Sequence, residues 1–148
     1  MIRDNVDAKG KLRILVTGPD GAVKSDDTVN NLVVTAGKNY IADRMKDGGK
    51  AQMGYMAVGT DNTAAAIGDT TLYSEAARVA LNTAGGTVTD NAVEYSATFG
   101  AGVGTGALVE AGIFNDSAAG DLLCRTVYSV VNKGADDTLT ITWTVSIN

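Results

Sequence analysis

The segment 138–147 constrains this chain more than any other: Leu139, Ile141, Trp143, Val145 and Ile147 alternate without a break with Thr138, Thr140, Thr142, Thr144 and Ser146. Successive side chains of a strand point to opposite faces, so the pattern sets an apolar row against a core. The hydroxyl row then faces solvent or a partner. A strand written this way belongs in an antiparallel sheet with one covered face.

The same periodicity recurs elsewhere. Leu12, Ile14 and Val16 alternate within 11–17, and the Gly18-Pro19-Asp20-Gly21 turn follows, with Pro presetting φ and Gly accepting a positive φ. Val93, Tyr95, Ala97 and Phe99 alternate again, and apolar runs at 108–114 and 122–131 read as further strands, as does a short one at 53–58. Residues around Asp26 and Asp27 read as a polar loop, and 72–81 admits either a helical turn or a strand. One helix is expected over 36–46, with Thr35 as N-cap, Tyr40, Ile41, Ala42 and Met45 on one side, and Asp47-Gly48-Gly49 as the stop. The expected fold is mainly β: an antiparallel β-sandwich or closed sheet with one α-helix, in a single domain over 11–148, preceded by a polar arm at 1–10.

Composition supports that class. In 148 residues there are 18 Gly against 1 Pro, which suits strands joined by glycine turns. A net charge of −5 provides no basic footprint for nucleic acid. No apolar run reaches the roughly 18–20 residues that span a bilayer, and the first residues lack the apolar core of a secretory signal. The single cysteine, Cys124, lies in an apolar run and reads as a buried small hydrophobe.

Catalytic chemistry finds little purchase. The chain has no histidine, which removes the usual general base, Ser-His and Cys-His nucleophiles and most zinc sites, and no Ser-x-x-Lys occurs. Glu75, Glu94 and Glu110 are the only glutamates available for a glycosidase pair. The Gly100–Ala107 stretch holds a G-x-G-x-x-A spacing but runs into a strand rather than a helix, and so reads as a hairpin loop. Asp61, Asn62 and Asp69, or Asp136 and Asp137, lack calcium-loop spacing and read as solvated turn carboxylates. No cofactor, metal or catalytic residue is expected. Glu110 and Arg125 interrupt apolar strand runs, so the expectation is a structural ion pair that fixes register, with a second between Glu75 and Arg78 if that segment is helical.

Three ordered segments carry a family resemblance. Tyr55-Met56-Ala57-Val58-Gly59-Thr60, then Asp69-Thr70-Thr71-Leu72-Tyr73-Ser74-Glu75 with Arg78, then Val109-Glu110-Ala111-Gly112-Ile113-Phe114, resemble domains of bacteriophage tail-collar and tail-fibre proteins, as do Lys133 and the closing strand. The resemblance covers roughly residues 30–147 and implies a non-catalytic virion protein, made in the bacterial cytoplasm. Its partners would be other capsid or tail proteins and copies of itself, with no nucleic acid or membrane bound. A capsid decoration or cement protein is the expectation, with a tail, collar or fibre-attachment component as the alternative and a carbohydrate-binding module as a third reading. Contacts are expected in the arm at Ile2, Arg3 and Asp4, in the loop at Thr60, Asp61 and Asn62, and in the glycine loop at Gly102, Val103 and Gly104.

Overall fold

The computed structural model describes residues 6–148. The elements run β1 (Ala8–Thr17), β2 (Val23–Val33), α1 (Thr35–Lys46), β3 (Tyr55–Gly59), β4 (Glu75–Ala80), β5 (Thr87–Thr89), β6 (Ala92–Phe99), β7 (Gly106–Phe114), β8 (Leu122–Lys133) and β9 (Thr138–Ile147). The nine strands form one antiparallel sheet in the order β4-β3-β7-β8-β2-β1-β9-β6-β5. It is curled into a half-barrel, so that β2, β1, β9, β6 and β5 face β4, β3, β7 and β8 across one core. Strand β2 is the hinge between the halves, pairing with β1 along most of its length and with β8 only at Leu32 and Val33.

Alternation explains the packing. Leu12, Ile14 and Val16 of β1, Leu139, Ile141, Trp143 and Val145 of β9, and Tyr95, Ala97 and Phe99 of β6 all point inward. They meet Met56 and Val58 of β3, Leu108, Ala111 and Ile113 of β7, and Cys124, Tyr128 and Val131 of β8. Each apolar side chain of this size, fully buried, contributes roughly 1.5–3 kcal/mol. Past the end of β4 the curl is stitched by Leu81 N–H to Gly54 O and Asn82 N–H to Ser96 O.

Four sequence expectations are corrected, and the open alternative at 72–81 is resolved. The arm ends sooner: residues 1–5 lie outside the described set, whereas Asp7 exchanges both backbone bonds with Asn148, and Ala8, Lys9 and Gly10 belong to β1. Ladder bonds need no apolar side chains, so polarity misled there. The same holds at Asp26 and Asp27, which sit within β2 opposite Leu15 and Ile14, where Asp26 takes a two-pronged bond from Arg13. Thr35 is the first helical residue; the N-cap is Val34, with no side-chain cap, and the Thr35 amide is instead satisfied by the Ile67 carbonyl. Residues 75–80 are strand, so Glu75 and Arg78 are not helical neighbours. Finally, 100–105 is no hairpin loop: β6 and β7 lie in opposite halves, and the loop crosses between them with Gly104 packed on Val58 and Ala77.

Helix α1 lies against β8. Gly37 is its point of closest approach, since a Cβ there would overlap the Leu123 carbonyl. Its C-terminus turns through Asp47 at φ 57, with the Asp47 and Gly48 amides bonded back to Arg44 O and Asp43 O.

Candidate functional site

The loop 60–74 connects β3 to β4 and folds back over the outer surface of β3, β7 and β8. Leu72 from that loop joins Val34, Ala57, Phe114 and Leu122 in a second, smaller apolar cluster. The strands below are cut away to receive it. At Gly112 a Cβ would crowd Leu122 and Leu72, and at Gly59 it would overlap the Ser74 carbonyl and the Glu110 carboxylate.

A buried ionic network fastens the roof. Glu110 and Arg125 are both fully buried, with Nη2 of Arg125 2.9 Å from Oε2 of Glu110, and the Arg125 Nε donates to the same oxygen at 3.0 Å. Nη2 is off the line of a hydrogen bond and has no other acceptor. Nη1 of Arg125 donates to Asp69 Oδ2 at 3.1 Å, and the Tyr73 ring covers the guanidinium with its centroid 4.2 Å away. Glu110 in turn accepts loop amides: Ser74 at 2.8 Å, Tyr73 at 3.1 Å and Asp61 at 3.4 Å. Asp69 accepts the Ala66 amide and the Tyr73 hydroxyl. Charge-assisted bonds of this kind are the strong ones, and here they hold backbone rather than a ligand.

The electrostatics follow from those bonds. Burial pushes the Asp69 carboxyl up, but the Ala66 amide, the Tyr73 hydroxyl and the Arg125 guanidinium together hold it below the usual carboxylate range. The Tyr73 hydroxyl, donating to Asp69 and partly desolvated, is pushed up. Below the network, Tyr128 donates to the Glu110 carbonyl, and burial with the nearby carboxylate pushes its hydroxyl up as well.

Glu75 and Arg78 pair along a strand edge. The Arg78 Nη2 lies 2.7 Å from Glu75 Oε1, its Nε donates to Oε2, and Nη1 reaches the Asp116 and Ala119 carbonyls. The guanidinium also lies 3.8 Å over the Phe114 ring. Arg78 therefore ties β4, β7 and the 115–121 loop at one point.

The expected contact residues separate. Ile2, Arg3 and Asp4 lie outside the described residues. Thr60 bonds Ser74 through backbone and hydroxyl, Asp61 closes a local turn on the Thr63 amide, and Asn62 is exposed. Gly102 and Gly104 take positive φ, Val103 is exposed, and the Gly102 amide bonds Ala135 O. Both loops stand at one end of the half-barrel, beside the β1–β2 and β8–β9 turns. Sequence reasoning missed Lys133 as an anchor: it is buried, its Nζ donates to the Gly100 carbonyl at 2.8 Å, and burial lowers its ammonium against the opposing pull of Asp137. It also missed Asp69 and Tyr73 as members of the network.

Asp69 is thus occupied by Arg125, and Asp137 accepts Lys24 and the Gly134 amide. Among the described residues no three His, Cys, Asp or Glu side chains gather as a metal site, and no helix is long and apolar enough to cross a membrane. Comparison with protein-family models, with curated proteins and with solved structures finds no match.

Proposed function

We propose that this chain is a non-catalytic structural protein of a bacteriophage particle, a capsid decoration or cement protein that docks on other virion proteins in many like copies. One observation carries the reading. The three segments that resemble tail-collar and tail-fibre domains are separate in sequence, yet they meet in a single clamp. Gly59 makes room for the Glu110 carboxylate, the Tyr73 and Ser74 amides donate to Glu110, Leu72 packs with Ala57 and Phe114, and Arg78 lies on Phe114. Motif residues that build one clamp form a physical unit, which supports the resemblance over chance matches of short words.

The clamp suits docking. It spends its charges on holding loop backbone rigid, and it leaves Ile67 and Tyr73 exposed on the roof. A surface ordered beforehand binds without the entropy cost of ordering a loop. Weak contacts of that kind, repeated by symmetry, sum to a stable attachment. The host cytoplasm is the place of synthesis and the virion the destination under this proposal. A carbohydrate-binding role is less favoured, because Tyr73 is the lone aromatic among the large exposed side chains of the described residues and a sugar platform needs a cluster.

Quantitative mass spectrometry of purified particles from a phage that encodes the chain tests the proposal. Copies in the hundreds per particle are the expected result. A few to a few tens would move the role to the tail, collar or fibre attachment, and absence from assembled particles would overturn both.

A further inference from the structure

Between helix α1 and the floor made by β6 and β9 lie two adjoining cavities of about 480 and 520 Å³ that share Ile41, Met45 and Ile147. The two differ in character. Tyr40, Arg44, Gln52 and Tyr95 bring polar groups to the first, over Val93 and Val145. The second is lined by Val6, Ala8 and Ala42 beside the shared residues, with Lys38 as its one charged side chain. A cleft of this volume, apolar with a few converging polar groups, has the form of a small-molecule site.

Two observations define the molecule it suits. The first is a pair of phenols. Tyr95 is 6% exposed and lines the first cavity, and its hydroxyl hydrogen-bonds to no described residue. That oxygen is not sealed in the core as the Trp143 Nε1 and the Asn31 amide are, so it opens on the cavity. Polar groups buried this deeply are ordinarily hydrogen-bonded. The neighbouring Tyr40 hydroxyl accepts the Met53 amide at 3.1 Å and keeps its own proton to donate. Burial pushes both hydroxyls up, so each stays protonated. Two phenol protons beside one cavity call for an acceptor.

The second observation is charge. The chain carries a net charge of −5, yet among the described residues no Asp or Glu lines either cavity, whereas Arg44 and Lys38 do. Arg44 spends Nη1 on the Lys50 carbonyl, which leaves Nε and Nη2 unspent among the described residues. An acceptor placed there is favoured as an anion. The polar end lies in the first cavity and the apolar end in the second, so head and tail have separate places.

We propose that the cleft binds a single-tailed anionic amphiphile of the fatty-acid class. Its carboxylate sits on the Tyr40 and Tyr95 hydroxyls and Arg44, and its tail runs past Ile41, Met45 and Ile147 into the second cavity. The tail covers Met45, which is otherwise 84% exposed, and fastens α1 to the sheet. The inference goes beyond the particle assignment, because purified protein alone tests it and its failure leaves virion content untouched.

Calorimetric titration of the full-length protein with dodecanoate, at neutral pH and below its micelle concentration, is expected to show one molecule bound per chain. Tyr95→Phe keeps the ring and deletes the oxygen, and should weaken binding roughly 10- to 100-fold, the worth of a hydrogen bond to a charged group. Arg44 is exposed, so Arg44→Met tests the head site without disturbing the core, and a loss of similar size is expected. Dodecanol, with the same tail and no charge, should bind at least about tenfold more weakly than dodecanoate. Tyr73→Phe, on the roof over β3, β7 and β8, should bind as the parent does. A parent protein that takes up no dodecanoate, dodecanol bound as tightly as dodecanoate, or undiminished binding by either Tyr95→Phe or Arg44→Met overturns the proposal.

Discussion

Replacing Arg125 with Met removes the one cation that lies between two buried carboxylates. Met fills much of the same volume, so the loss is electrostatic rather than a cavity. Glu110 keeps its three loop amides and Asp69 keeps the Ala66 amide and Tyr73 hydroxyl, but the site carries two negative charges out of water with nothing positive to balance them. Breaking a buried pair by deleting one partner costs about 3–5 kcal/mol. For a chain of this length each kcal/mol lowers Tm by roughly 2–4 °C, so the variant should melt roughly 6–20 °C below the parent. Urea unfolding followed by the fluorescence of Trp143, the sole tryptophan and fully buried, measures it directly. Adding Glu110→Gln to Arg125→Met removes one orphaned charge and should recover about 1–2 kcal/mol, a coupling of the size that neighbouring sites show. A loss below about 1 kcal/mol for Arg125→Met, the worth of an exposed pair, would refute the clamp. Strict additivity in the double variant would do the same.

Acid should loosen the roof. The folded Asp69 lies below the ordinary carboxylate value near 3.9, so its contribution is complete at neutral pH and is lost as pH falls through that lowered value; Asp69→Asn should flatten stability against pH below about 4. Gly37→Ala, which in an exposed helix would stabilise by up to about 1 kcal/mol, should here destabilise by about 1–3 kcal/mol because the methyl meets the Leu123 carbonyl; thermal melting decides the sign. Lys133→Met should cost about 1–2 kcal/mol through the lost bond to Gly100, and hydrogen exchange should quicken at the Gly102 amide while the β9 amides stay protected.

The sequence was legible where a face is uniform. β9 alternates because its two faces meet different surroundings, and its apolar side chains from Leu139 to Val145 are buried as that period implies, with Ile147 half-buried at the end. β2 was hidden because it lies between β1 and β8 with most of its side chains exposed, so no period marks it. Glu110 and Arg125 could be singled out as charges in apolar runs. Their partners could not: Asp69 and Tyr73 come from a loop that has no period and is placed only once β3, β7 and β8 are assembled. Beyond its share in the resemblance, nothing marked Lys133 as buried, since lysines at the end of an apolar strand ordinarily reach solvent. The helix was readable as an element, but its unoccupied apolar side was not, because Met45 looks like any core residue until the gap beneath it is seen.

The seam between β1 and β9 governs when the protein can come into being. Ala8 pairs with Ile147 and Thr17 with Thr138, so neighbours in the middle of the sheet come from segments far apart in the chain. Until residue 147 clears the ribosome, β1 and β6 each lack the strand that lies between them, and Leu12, Ile14 and Val16 lack their neighbours Trp143, Ile141 and Leu139. Closing so long a loop is slow, and a nascent chain held in that state shows open strand edges to its siblings. Overproduction should therefore favour inclusion bodies at high synthesis rates and soluble protein when translation is slowed by cold.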